Sequence, residues 1–145
     1  MTSKKCPYCG GTGKCRHCYS TPKVRRFPGH ISKSLAVKIV KEVGGKYGLE
    51  SVMTFGGEPL LFPEVVFAIH RTAADLGIPV RSVITNGYWS HNFEEIEKIA
   101  MRLKKAGVNS ISISVDAFHQ EYIPLEIVRK TAEACLKVGI EKISW

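Results

Sequence analysis

Ala106-Gly107-Val108-Asn109-Ser110-Ile111-Ser112-Ile113-Ser114-Val115-Asp116 is the stretch whose reading decides the fold. Gly107 closes an amphipathic helical pattern, because glycine takes the left-handed conformation that ends a helix without a Cβ penalty. The alternating segment Ser110–Val115 then reads as a strand, and a polar residue, Asp116, stands at its end. The same phrase recurs along the chain. Glycines at helix exits fall at Gly48, Gly77, Gly107 and Gly139, separated by 29, 30 and 32 residues. Strand patterns follow each one: Ser51–Phe55, Val80–Thr85, Ser110–Val115 and Glu141–Trp145. The helices between them are expected at Lys33–Tyr47, Pro63–Leu76, Phe93–Ala106 and Leu125–Val138.

Helix starts carry their own signals. Ser32 and Asn92 are N-cap residues, Pro63 suits a first helical turn, and Glu94 and Glu95 complement the positive end of the third helix. Apolar stripes at helical spacing run through Ile96, Ile99, Ala100 and Leu103, then through Val128, Ala132, Cys135 and Leu136. Strands joined by helical crossovers run parallel. The expected class is therefore α/β, with parallel βα repeats over residues 32–145 forming a partial barrel. A cysteine-rich loop over residues 1–31 precedes it within the same domain. In such sheets function gathers at the C-terminal strand ends. Here these read Gly56-Gly57-Glu58-Pro59, Thr85-Asn86-Gly87-Tyr88 and Asp116-Ala117-Phe118-His119.

Composition is that of a soluble globular chain, with 44% hydrophobic and 23% charged residues in 145. The longest apolar run, Val65-Val66-Phe67-Ala68-Ile69, is far short of the ~18 residues a membrane span needs. No signal-peptide pattern opens the chain, so a cytoplasmic location and no membrane partner are expected. The net charge of +8 is concentrated. Met1 to Lys41 holds ten Lys/Arg and no acidic residue, while the rest is near neutral. Such a patch is either a solvated face or an attractor of anions, nucleic acid among them.

Cys6, Cys9, Cys15 and Cys18 crowd into thirteen positions as C-x2-C-x5-C-x2-C around Gly10-Gly11-Thr12-Gly13. In a reducing compartment such crowding points to metal or redox chemistry. Four thiolates on a glycine-rich turn suit tetrahedral zinc or an iron–sulfur cluster alike, and the turn itself resembles zinc-knuckle modules. Cys135, alone on a helical stripe, reads as a small core residue.

The run Cys15-Arg16-His17-Cys18-Tyr19-Ser20 is followed in order by Gly56-Gly57-Glu58-Pro59-Leu60, Ile84-Thr85-Asn86-Gly87 and Ser112-Ile113-Ser114-Val115-Asp116. At their βα spacing these resemble the radical S-adenosylmethionine (SAM) superfamily over nearly the whole chain. The family's usual C-x3-C-x2-C places its first cysteine on Gly11, so Cys9, or else Cys6, must join Cys15 and Cys18. The family's barrel usually has further strands, one of them before the cysteine loop.

The resemblance implies an enzyme. Three cysteines would bind a [4Fe–4S] cluster with one iron open to the amino and carboxylate groups of S-adenosylmethionine. Reductive cleavage would yield a 5′-deoxyadenosyl radical, with a reductant protein as partner and an unknown substrate. His17 would pack near the adenine, and Gly56, Gly57, Glu58 and Pro59 would line the methionine portion. Glu58 would accept from its ammonium group. Ser114 and Asp116 would reach the ribose hydroxyls, and Asn86 the cofactor or substrate. The bland readings stand beside these: a turn for Asn86-Gly87, a cap for Asp116, surface positions for His17 and His119, and a structural role for His70. The competing function is a zinc-binding, nucleic-acid-binding or regulatory module on a degenerate scaffold of this family. Exposed sheet edges also favour a homo-oligomer.

Overall fold

A computed structural model describes residues 30–121, 123–140 and 142–145. Cys6, Cys9, Cys15, Cys18 and His17, with the basic segment around them, lie outside the described residues.

Among the described residues, four parallel strands form one sheet in the order β1-β2-β3-β4. In chain order the elements are α1 (Lys33–Lys46), β1 (Ser51–Thr54), a 3-10 turn (Pro59–Leu61), α2 (Pro63–Asp75) and β2 (Val80–Thr85). They continue with α3 (Phe93–Lys105), β3 (Ser110–Ile113), the short α4 (Ala117–Gln120), α5 (Leu125–Lys137) and β4 (Lys142–Ser144). Register is continuous across the sheet, with Thr54 beside Val83, Val83 beside Ile111, and Ile111 beside Ile143. Sequential strands lying side by side, each pair joined through a helix, are the partial (β/α) barrel expected of the repeat.

The expected caps form. Ser32 Oγ accepts from Leu35 N, and Asn92 Oδ1 accepts from Glu94 N at 2.9 Å. Gly77, Gly107 and Gly139 all adopt positive φ. Gly48 does not, which corrects the expectation for the first repeat. There α1 ends when Tyr47 turns into extended backbone (φ −123°, ψ 143°). Gly107 has a second reason to be glycine: a Cβ on it would lie 2.8 Å from the Cβ of Ala74.

The core lies between the sheet and its helices. Val83 and Ile111 from the strands meet Val66 and Phe67 of α2, Ile96, Ala100 and Leu103 of α3, and Ile127, Ala134 and Cys135 of α5. The α3 stripe is as expected, with Ile99 half-buried. On α5 the stripe is rotated: Leu136 is 55% exposed, and Ile127, Val128, Thr131 and Ala134 take the buried face with Cys135. Strand residues of the opposite parity, such as Met53 and Ser112, face away from this helix layer.

The N-terminal end of the sheet is tied by polar side chains. Asn109 Oδ1 accepts from Arg81 N at 2.9 Å and its amide donates to Pro79 O at 2.7 Å. Arg81 donates to the carbonyls of Gly107 and Ile78. Beside it His70, fully buried on α2, shares a 3.0 Å hydrogen bond with the Thr54 hydroxyl. Burial, with the positive charge of Arg81, lowers the His70 pKa to about 4.

Two predictions follow from this packing. Leu103→Ala empties a fully buried site in the main core, and urea unfolding should show a loss of roughly 2–5 kcal/mol. His70 is neutral in the fold but titrates near its ordinary value when unfolded, so the unfolded chain takes up the proton first. Stability should therefore fall as pH drops from about 6.5 towards 4, by up to roughly 3 kcal/mol, and flatten below. His70→Gln should remove most of that slope in pH-dependent unfolding.

Candidate functional site

The C-terminal strand ends meet at one rim, and a buried carboxylate fastens them. Glu58 follows the Gly56-Gly57 turn and is only 1% exposed. Its Oε1 accepts from the Thr85 hydroxyl at 2.7 Å and from Leu60 N at 3.0 Å. Its Oε2 accepts from Asn86 N at 2.8 Å. One carboxylate thus holds its own 3-10 turn and the end of β2. Burial pushes the Glu58 pKa up, against the pull of these three donors and of the nearby His119 charge.

Gly56 and Gly57 reach this position through φ of 95° and 56°. A Cβ on Gly56 would meet no atom within 4 Å, so backbone conformation, not crowding, demands glycine there. Pro59 opens the 3-10 turn.

Past β2 the Thr85 hydroxyl accepts from Gly87 N at 3.0 Å, and Asn86 Oδ1 accepts from Tyr88 N at 2.8 Å. This is an Asx turn with Gly87 at φ 74°. The turn reading of Asn86-Gly87 therefore holds, and among the described residues the Asn86 amide NH2 is what remains for a ligand. Ser114 N donates to Thr85 O at 2.8 Å, carrying the β2–β3 pairing one residue beyond the strands.

Asp116 caps α4. Its Oδ1 accepts from Phe118 N at 2.9 Å and His119 N at 3.0 Å, and its Oδ2 lies 2.6 Å from His119 Nδ1. Slight burial opposes the charge, but the His119 N–H and imidazole and the Phe118 N–H outweigh it and hold the carboxyl below its ordinary range. The cap reading of Asp116 holds. His119, read as a surface residue, is partly exposed, with 18% of its side chain open beside Asp116.

A cleft of about 430 Å3 opens between β3 and β4, lined by Ser112, Ile113, Ser114, Val115, Asp116, Ser144 and Trp145. The Ser112 and Ser144 hydroxyls meet at 2.6 Å within it. Sequence reasoning named Ser114 and Asp116 but missed Ser112, Ser144 and Trp145. The β3 alternation would have found Ser112, which shares a face with Ser114.

The structure brings Gly56, Gly57, Glu58, Pro59 and Asn86 together through the Glu58 clamp, and Ser114 and Asp116 together in the cleft. Besides the contact expected of it, Glu58 has a structural part: three protein donors meet its buried carboxylate, so it shapes the rim from beneath.

The family model described as Radical SAM superfamily matches residues 3–144. The chain is 31% identical to a GTP 3′,8-cyclase of Mannheimia succiniciproducens over 90% of its length and 39% of that protein. It is 29% identical to Molybdenum cofactor biosynthesis protein 1 of Mus musculus over 89% of its length and 19% of that protein. It is 23% identical to Pre-heme d1 synthase of Dinoroseobacter shibae, over 88% and 31% respectively. The chain thus spans well under half the length of these relatives. It belongs to the radical SAM superfamily, a family of enzymes.

The clamp gives a direct prediction. Glu58→Gln turns one acceptor oxygen into an NH2 that faces N–H or O–H donors. Unfolding should show a loss of about 1–3 kcal/mol, and amide exchange at Asn86 should accelerate.

Proposed function

We propose that this superfamily member binds S-adenosylmethionine along the rim from Gly56 to Asp116, beside a [4Fe–4S] cluster held by Cys9, Cys15 and Cys18. Cys6 is the alternative third ligand. The observation that carries the proposal is convergence: a double-glycine turn, an Asx turn and a serine-lined cleft close three successive parallel strands at one end. Family membership supplies the cofactor pair.

The described residues fit such a ligand. The Gly56-Gly57 turn offers backbone without side chains, suited to the amino-acid portion. The serine hydroxyls and the Asp116 region offer the polar partners that ribose hydroxyls require. Cluster and S-adenosylmethionine together, when bound, supply one-electron cleavage of a carbon–sulfur bond and a carbon radical that takes a hydrogen atom from substrate.

The chain's own residues position and exclude. Glu58 holds Leu60 N, Asn86 N and the Thr85 hydroxyl, fixing the spacing between the first two strand ends. Asn86 donates its amide NH2 toward the ligand while its oxygen is kept in the turn. Ser114 is placed by its backbone bond to Thr85, so its hydroxyl can meet the ribose. On the family's pattern, His17 would lie near the adenine. An electron-donating protein serves the cluster, in the reducing cytoplasm where such cysteines escape disulfide formation. The relatives carry names of different reactions, so the shared part is the radical-forming scaffold, and substrate choice lies elsewhere.

Anaerobic reconstitution followed by iron, zinc and sulfide analysis tests this. About four irons and four sulfides per chain are expected, with a reduced-cluster EPR signal that shifts when S-adenosylmethionine is added. Cys15→Ala should abolish both. One zinc, no sulfide and no response to S-adenosylmethionine would overturn the proposal in favour of a zinc-holding binding module.

A further inference from the structure

The fold treats the two tryptophans of the chain differently. Trp89 packs against the main core, the usual fate of so large a side chain. Trp145 is 84% exposed, yet it lines the cleft between β3 and β4. It stands one residue past Ser144, which pairs with Ser112 across the two strands and meets its hydroxyl at 2.6 Å. The rest of the lining is serine, Asp116 and the aliphatic Ile113 and Val115. Among the described residues that line this cleft, Trp145 alone is aromatic.

We infer that Trp145 is the platform on which the adenine of S-adenosylmethionine stacks. This rests on the proposed cofactor site along the rim, and it adds the residue that holds the base. Order along the sheet selects the base over the rest of the cofactor. In that site the amino-acid portion lies at the Gly56-Gly57 turn past β1, and the ribose at Ser114 and Asp116 past β3. The ribose stands between the sulfonium and the adenine in the covalent structure. A ligand laid from β1 across to β3 therefore places its base beyond β3, and β4 is the next strand in that direction. Trp145 directly follows β4.

The chemistry of the position agrees. Hydroxyl and carboxylate groups beside one bare aromatic face are what a nucleoside needs, since its sugar is polar and its base is flat and apolar on both sides. Stacking of a base on an aromatic side chain is commonly worth about tenfold in affinity. An indole face also attracts cations, and the sulfonium is one. The same order along the sheet, however, puts the sulfonium on the β1 side of the ribose, away from Trp145.

The test is anaerobic equilibrium dialysis of the reconstituted full chain. The probes are S-adenosylmethionine and S-adenosylhomocysteine, which keeps the adenosine and lacks the sulfonium charge. Trp145→Ala should weaken the binding of both by about tenfold, with iron content and CD spectrum unchanged. Trp145→Phe, which keeps an aromatic face, should recover most of the loss, and Trp145→Leu, which is apolar without a ring, should not. Equal affinity of Trp145→Ala and wild type would overturn the inference. So would full recovery in Trp145→Leu, which would reduce the residue to apolar bulk. A loss that spares S-adenosylhomocysteine would overturn it too and assign the indole to the sulfonium. These three results leave the cofactor site standing, whereas a cluster-loaded wild type that binds neither probe would overturn that site and this inference with it.

Discussion

The Glu58 carboxylate is the interaction on which the rim depends. A carboxylate with 1% exposure is costly to keep in a protein unless donors surround it. Here the donors come from two places: Leu60 N from its own turn, and the Thr85 hydroxyl and Asn86 N from the end of β2. Satisfying one buried charge therefore sets the distance between two strand-end loops. The next link is Thr85, whose hydroxyl accepts from Gly87 N while its carbonyl accepts from Ser114 N. Three strand ends are joined through a short chain of hydrogen bonds. A polar network of this kind specifies one arrangement when complete and destabilises when any member is removed.

The two ends of the sheet divide the labour. At the N-terminal end Arg81 and Asn109 tie the starts of β2 and β3 through backbone carbonyls and amides. At the C-terminal end glycines with positive φ, an Asx turn and a capped short helix hold backbone in conformations that ordinary strands do not use. Rigid scaffold below and shaped loops above is how α/β sheets separate stability from binding.

The fold was legible because its signals are local. A glycine after an amphipathic stripe, a cap before it and an alternating segment behind it occupy adjacent residues, and Gly77, Gly107 and Gly139 behaved as such signals require. Gly48 had the same neighbours but α1 ended in extended backbone at Tyr47, an ending that needs no left-handed residue. On α5, Leu136 and Ala134 exchanged places relative to the expected stripe, because which arc of a helix is buried depends on the neighbouring α3 as well as on spacing. The site was half legible. Its positions followed from strand ends, and membership of the superfamily followed from ordered motifs. The role of Glu58 did not, since its partners Thr85 and Asn86 lie nearly thirty residues away and nothing local announces them.

The claim at the centre is that the clamped strand ends form one ligand surface. Hydrogen–deuterium exchange on the reconstituted protein, with and without S-adenosylmethionine, reads this most directly. Protection should rise together over residues 56–59, 85–87 and 112–116, while the Arg81–Asn109 end of the sheet stays unchanged. Protection absent from all three segments, or confined to the opposite end of the sheet, would contradict the account.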